Sequence, residues 1–227
     1  MHRQLVREGF ARIQSFRGLD INALAAEARA ALERDKPDCT TVCVSKSPLQ
    51  HLNPVLNDTR VRRAAAMYLG RDARLTGYMT LRLGKKVNTS IYRSGEWHHD
   101  RCGRRLKLFI YLDSVGPKDH PTLIVRGSHR LSYFLDAREV YTRFRQDFVR
   151  KAFASRISQM LGPRGGGFLF DTNSVHRGDI DGMHEVRDAI VVEFDEGVEK
   201  LKIQPACMSQ AHEYRVYESL RSYWLDS

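Results

Sequence analysis

The sequence is short of several things, and each shortage removes a class of protein. Four cysteines in 227 residues, with no C-x-x-C pair, exclude a disulfide-stapled miniprotein. Cys39 and Cys43 have no nearby His or Cys to complete a zinc site, and in a reducing compartment they are expected to stay as loop thiols. Long apolar runs are missing as well. Stretches such as Ala189-Ile190-Val191-Val192 last a few residues, against the roughly 20 that cross a bilayer. Charge interrupts the N-terminus before the apolar core of a signal peptide forms, so a cytoplasmic chain is expected. Seven prolines, 16 glycines, and the lack of any repeat or linker tract argue against collagen-like, disordered or multi-domain organisation. One domain over residues 1–227 is the expectation. Acidic residues are the last deficit: 27 Asp and Glu against 37 Lys and Arg leave a net charge of +10, which favours anionic partners without naming them.

What is present reads as helices first and strands afterwards. Residues 5–16 form a short helix running into a strand at Phe10–Ile13. Asp20 then caps a helix over 21–34, whose Leu24, Ala28 and Leu32 share one face. A second helix covers 58–67. Strands are expected at 76–83, 87–92, 106–112, Thr122–Val125, 167–170 and 189–194. In 106–112, Lys107, Phe109 and Tyr111 alternate with Leu106, Leu108, Ile110 and Leu112, the pattern of a strand with two distinct faces. One helix is expected at 137–160, from the recurrence of Val140, Phe144 and Phe148. The order implies an α+β protein with a mainly β core, a double-sheet jelly roll with flanking helices.

Trp97-His98-His99-Asp100 holds the only H-x-D of the chain. Side chains two apart on an extended segment point the same way, so His98 and Asp100 can face one metal while His99 faces away. Val175-His176-Arg177-Gly178, 78 residues after His98, offers a third ligand. Two imidazoles and a carboxylate on one face of an octahedron leave three open positions, the facial triad of non-haem Fe(II) oxygenases. Arg187 follows at the edge of the 189–194 strand, where its guanidinium could pair with a carboxylate at two points. His99, His120, His129 and His184 read as structural or surface groups rather than ligands.

These segments, together with Lys107 to Asp113 and Pro121 to His129, resemble the phytanoyl-CoA dioxygenase-like Fe(II)/2-oxoglutarate-dependent oxygenases over about residues 76–195. The resemblance implies a double-stranded β-helix in which His98, Asp100 and His176 bind iron and Arg187 holds the distal carboxylate of 2-oxoglutarate. It also implies dioxygen as oxidant, succinate and carbon dioxide as co-products, and hydroxylation or another oxidation of a C–H bond. Asp100 argues against halogenation, because related halogenases lack that carboxylate. Many members carry a hydroxyl residue two after the distal His, where this chain has Gly178. Lys107 or Asn88 is expected to serve the co-substrate instead.

Arg101, Arg104 and Arg105 directly follow the metal motif and are expected to rim its mouth, favouring a small or carrier-linked anionic substrate such as an acyl-CoA, a phospho-compound or an amino-acid derivative. Residues 93–107 and 126–156 together hold +8 of the net +10, so the excess is expected as a cationic entrance rather than a tail. Two other readings stand beside this one. The first is a basic module binding RNA, DNA or another polyanion, against which stand the missing nucleic-acid fold signature and aromatic interleaving. The second is a jelly-roll oxygenase fold without activity, against which stands the intact triad.

Overall fold

Two antiparallel sheets face each other in the computed structural model, which describes residues 1–100, 105–130 and 143–196. The larger sheet has the order β1-β9-β5-β11-β3-β2 and the smaller β7-β4-β10-β6-β8. In chain order these strands are β1 Phe10–Ile13, β2 Val42–Ser45, β3 Arg74–Leu83, β4 Trp97–His98, β5 Arg105–Tyr111 and β6 Thr122–Val125, then β7 Arg143–Phe144, β8 Ile157–Met160, β9 Gly167–Asp171, β10 His176–Gly178 and β11 Arg187–Asp195. From β3 onward the chain mostly steps from one sheet to the other: β3, β5, β9 and β11 lie in the larger, and β4, β6, β8 and β10 in the smaller.

The four helices that precede β3 pack on the outer face of the larger sheet. Helix α1 (His2–Glu8) ends at Gly9, whose φ of 83° puts it in the left-handed region. A Cβ there would sit 2.5 Å from Ser174 Oγ, so glycine satisfies both the turn and the packing. Helix α2 (Ile21–Asp35) starts at Asp20, whose Oδ1 accepts from the N–H groups of Asn22 and Ala23. It buries Leu24, Ala25, Ala28, Ala31 and Leu32. Helices α3 (Asn53–Leu56) and α4 (Thr59–Leu69) follow, the latter capped by Asp58.

The alternation in β5 explains the layering. Leu106, Leu108, Ile110 and Leu112 join the core beneath the helices, whereas Phe109 and Tyr111 join the core between the sheets with Phe168, Phe170, Ala189 and Val191. Strand β11 alternates the same way, so Arg187 points between the sheets and Asp188 outward. Asp188, only 3% exposed, takes a two-point pair from Arg82 at 2.7 and 2.8 Å and a third hydrogen bond from Arg29 of α2.

Three expectations need correction. Residues 87–92 are a turn, not a strand, because Asn88 Oδ1 accepts from Ser90 Oγ and the Ile91 N–H and so offers the backbone a local alternative to a ladder. The helix expected over 137–160 is confined, within the described residues, to α5 (Gln146–Phe153); Phe144 lies on β7, and Ile157–Met160 is a strand that pairs with the free edge of β6. Residues 137–142, with Val140, lie outside the described residues. At Arg143–Phe144 and Ile157–Met160, strand pairing overrides the every-fourth-residue pattern. Finally, Cys39 and Cys43 are joined in a disulfide rather than being thiols, since the chain reverses over Thr40 and Thr41 and brings their Cα atoms to 6.1 Å. No helix among the described residues is long and apolar enough to cross a membrane.

Removing the carboxylate from the buried Asp188 cluster leaves two guanidiniums without their shared partner. Asp188→Ala is expected to lower apo-protein stability by about 3 kcal/mol in urea unfolding. A loss below about 1 kcal/mol would show that Arg82 and Arg29 recover solvent at no cost.

Candidate metal centre

Strand β4 runs antiparallel to β10 with His98 directly opposite His176. That register places the two imidazoles with ring centroids 4.3 Å apart. Each ring is oriented by its own backbone. His98 Nδ1 donates to the Glu96 carbonyl and His176 Nδ1 to the Ser174 carbonyl, both at 2.7 Å, which leaves each Nε2 with a free lone pair. Asp100 Oδ1 lies 3.6 Å from His98 Nε2 and 3.9 Å from His176 Nε2, and one ligand atom from each residue falls within 4.8 Å of the others. Adjacent donors around an octahedral ion with bonds of about 2.1 Å sit about 3 Å apart, so the Asp100 oxygen is within about 1 Å of coordination distance from each imidazole nitrogen.

Asp100 is fixed at both ends. Its N–H donates to the Thr172 carbonyl at 2.8 Å, and its Oδ2 accepts from Lys107 Nζ at 2.7 Å, which turns Oδ1 toward the histidines. Burial alone would raise the Asp100 pKa, but His176 and Lys107 overcome it and hold the carboxyl at about 2. His176 is pushed down to about 3, chiefly by burial and then by His98. Burial also lowers His98. The three side chains are therefore held as two neutral imidazoles and a carboxylate, the protonation state a divalent metal requires. His99 turns away as expected, its Nδ1 donating to the Asp100 carbonyl and its ring lying against Phe144.

Arg187 enters the same inter-sheet space from the start of β11. It is 2% exposed, its guanidinium carbon lies 5.8 Å over the Phe109 ring, and Nη1 donates to the His120 carbonyl and faces Thr122 Oγ1 at 3.5 Å. Among the described residues neither Nε nor Nη2, both buried, makes a well-formed hydrogen bond, although the Tyr92 hydroxyl lies within hydrogen-bonding reach of the guanidinium. Donors of a buried cation are rarely left unpaired, and these two lie on one edge of the guanidinium, the arrangement that matches a carboxylate. A dicarboxylate anchored there fits the donor set.

The other sequence-predicted residues fall differently. Lys107 faces inward but is committed to Asp100 and, at 3.5 Å, to Glu193, so it orients a metal ligand instead of waiting for a keto acid. Asn88 is solvent-exposed and its Oδ1 is used within its own turn, a placement that does not support the co-substrate role expected of it. Arg105 lies on β5 beside Asp195, with a closest N to O distance of 4.0 Å; Arg101 and Arg104 lie outside the described residues. The expected cationic entrance also divides. Arg143 sits across from His98 and pairs with Glu96, whereas Arg126, Arg130 and Arg156 line a separate cavity with Arg7. His120, read from sequence as structural, has its ring nitrogens 2.9 and 2.8 Å from the Asp179 and Gly84 carbonyls and presents its own carbonyl to Arg187. No pattern in the sequence signalled that second role.

No protein-family model and no curated relative matches the sequence. Solved structures do match in shape. EvdMO1 superposes with a TM-score of 0.61 at 19% identity over 86% of this chain, which spans 49% of that one. The epimerase SnoN, solved with Fe3+, alpha ketoglutarate and nogalamycin RO, gives 0.59 at 16% identity, covering 92% of this chain and 91% of its own. HygX from Streptomyces hygroscopicus, solved with nickel, 2-oxoglutarate and hygromycin B, gives 0.57 at 14% identity over 86% and 87%. The chain shares their fold.

The lowered histidine pKa values make a direct prediction about metal binding. Two ordinary imidazoles, titrating near 6.5, would each cost about tenfold in affinity between pH 7.5 and 5.5, or about 100-fold together. Here His176, held at about 3, stays neutral across that range and burial lowers His98 as well, so the fall in Co(II) affinity followed by absorption should be well short of about 100-fold. A fall near 100-fold would mean that burial does not hold the rings neutral.

Proposed function

We propose that this chain is an Fe(II)- and 2-oxoglutarate-dependent oxygenase, similar to the phytanoyl-CoA dioxygenase-like group, that oxidises a C–H bond of a small or carrier-linked anionic substrate. The observation that carries the reading is one inter-sheet space lined by His98, Asp100 and His176 and, beside them, by a buried Arg187 that pairs with no carboxylate among the described residues. The strand alternation between the sheets supports a double-stranded β-helix as the scaffold.

In this reading His98 Nε2, His176 Nε2 and Asp100 Oδ1 hold the metal, and Nε and Nη2 of Arg187 take the distal carboxylate of 2-oxoglutarate. Iron, 2-oxoglutarate and dioxygen supply the oxidising power, with succinate and carbon dioxide as co-products. The protein's own work is positional. The carbonyls of Glu96 and Ser174 keep both imidazoles in one tautomer, Lys107 keeps Asp100 charged and turned inward, and the His120 carbonyl holds one edge of Arg187 so that the other faces the pocket. Phe109, Phe168 and Phe170 stack beneath, lining the space with apolar surface that excludes water. Asp100 fills the position that halogenases leave open, which favours hydroxylation. The polyanion-binding alternative would draw on the basic run Arg101, Arg104 and Arg105, of which Arg105 is described and lies beside Asp195.

Anaerobic addition of 2-oxoglutarate to the Fe(II)-loaded protein should produce a visible metal-to-ligand charge-transfer band, and admitting air should release succinate. His176→Ala should abolish both. A wild type without the band, or a His176→Ala variant that keeps it, would sink the assignment.

A further inference from the structure

Gly178 is the point at which this chain departs from its resemblance, and the structure shows what occupies the space. His176 and Gly178 are two apart on β10 and so face the same inter-sheet side. A Cβ on Gly178 would lie 2.7 Å from Tyr92 Cε1, 3.4 Å from Cζ and 3.2 Å from the Tyr92 hydroxyl oxygen. The side chain of Tyr92 therefore lies where a residue at 178 would project. Its arrival depends on the turn at 87–92: the Asn88 carbonyl accepts from the Tyr92 N–H at 2.8 Å, and the ring packs on the inter-sheet cluster of Phe109, Tyr111 and Phe168.

The surroundings of the hydroxyl are those of a carboxylate donor. Burial raises the Tyr92 pKa, and of the charges acting on it Arg187 is the strongest, followed by Lys107 and Asp100; the Tyr92 oxygen is also within reach to accept from Arg187, which leaves its O–H free to donate to a carboxylate. The phenol is thus a protonated donor lying within the field of both the anchoring guanidinium and the metal ligands. Arg187 presents a single free edge, because Nη1 is committed to His120. A carboxylate seated on that edge has lone pairs to spare, and leaving them buried and unpaired is costly.

We infer that the Tyr92 hydroxyl donates to the distal carboxylate of 2-oxoglutarate beside Arg187, and that residue 178 is glycine because the Tyr92 ring takes its place. Tyr92 thereby supplies from a loop the hydroxyl that similar enzymes carry on the strand. The inference rests on the co-substrate reading above. The rival hydroxyl is Thr122 Oγ1, which already faces Arg187 Nη1.

The test compares wild type, Tyr92→Phe and Thr122→Val, each Fe(II)-loaded and anaerobic, titrated with 2-oxoglutarate and with 2-oxobutyrate while the charge-transfer band is read. The second keto acid keeps the chelating end and lacks the distal carboxylate. Tyr92→Phe should weaken 2-oxoglutarate by about tenfold or more, as expected for a lost hydrogen bond to a charged group. It should leave 2-oxobutyrate within about twofold and Co(II) affinity unchanged, a ligand-selective pattern that a general packing defect does not give. Gly178→Ser should weaken 2-oxoglutarate by displacing Tyr92, and the same change in a Tyr92→Ala background should cost nothing further or restore binding in part. Equal loss for both keto acids, no loss, or a selective loss only in Thr122→Val would overturn the assignment. Absence of any band in the wild type overturns the co-substrate reading and this inference with it; a wild-type band untouched by Tyr92→Phe overturns this inference alone.

Discussion

The site depends on one register. In the antiparallel pair of β4 and β10, His98 stands opposite His176, and a slip of one residue in either strand would turn an imidazole to the other face of the sheet. The pair is short, with two residues in β4 and three in β10, so its neighbours hold it. Strand β10 pairs with β6 on its other side, β4 pairs with β7, and Asp100 is held by its bond to the Thr172 carbonyl just after β9. Because Asp100 follows His98 by two residues, fixing the register of His98 also fixes the carboxylate.

A second constraint is the burial of Arg187. A guanidinium 2% exposed is costly in a folded protein, and among the described residues no carboxylate neutralises it. The neighbouring carboxylate, Asp188, belongs to the opposite face of β11 and is taken by Arg82 and Arg29. The same strand thus carries a neutralised cluster on its outer side and a cation awaiting an anion on its inner side. Strain of that kind is expected at a binding site and is out of place in a core built for stability alone.

Much of this was legible in the sequence, for reasons that differ by residue. His98, Asp100 and His176 could be found because period-two geometry is local and the H-x-D is unique in the chain. The alternation of 106–112 gave the two faces of β5, and Asp20 and Asp58 gave two helix starts. Tyr92 was hidden because a β-rich run, Val87 to Tyr92, is diverted into a turn by one asparagine side chain. Phe144 and Phe148 share helical spacing while lying on a strand and a helix, so spacing alone extends the helix too far at 137–160. For Lys107 periodicity leaves open whether the side chain enters the barrel or reaches solvent; its ion pair with Asp100, across the segment between β4 and β5, is a fact of packing. His120 contributes through its backbone carbonyl, and no residue type advertises that.

The central claim, that one inter-sheet space holds both a metal and a dicarboxylate, is tested most directly by a crystal structure with 2-oxoglutarate and Fe(II) located by its anomalous scattering. The account predicts the metal on Nε2 of His98, Nε2 of His176 and Oδ1 of Asp100, with the distal carboxylate against Nε and Nη2 of Arg187. Metal bound through an Nδ1 atom or at other residues, or a 2-oxoglutarate whose distal carboxylate avoids Arg187, would contradict it.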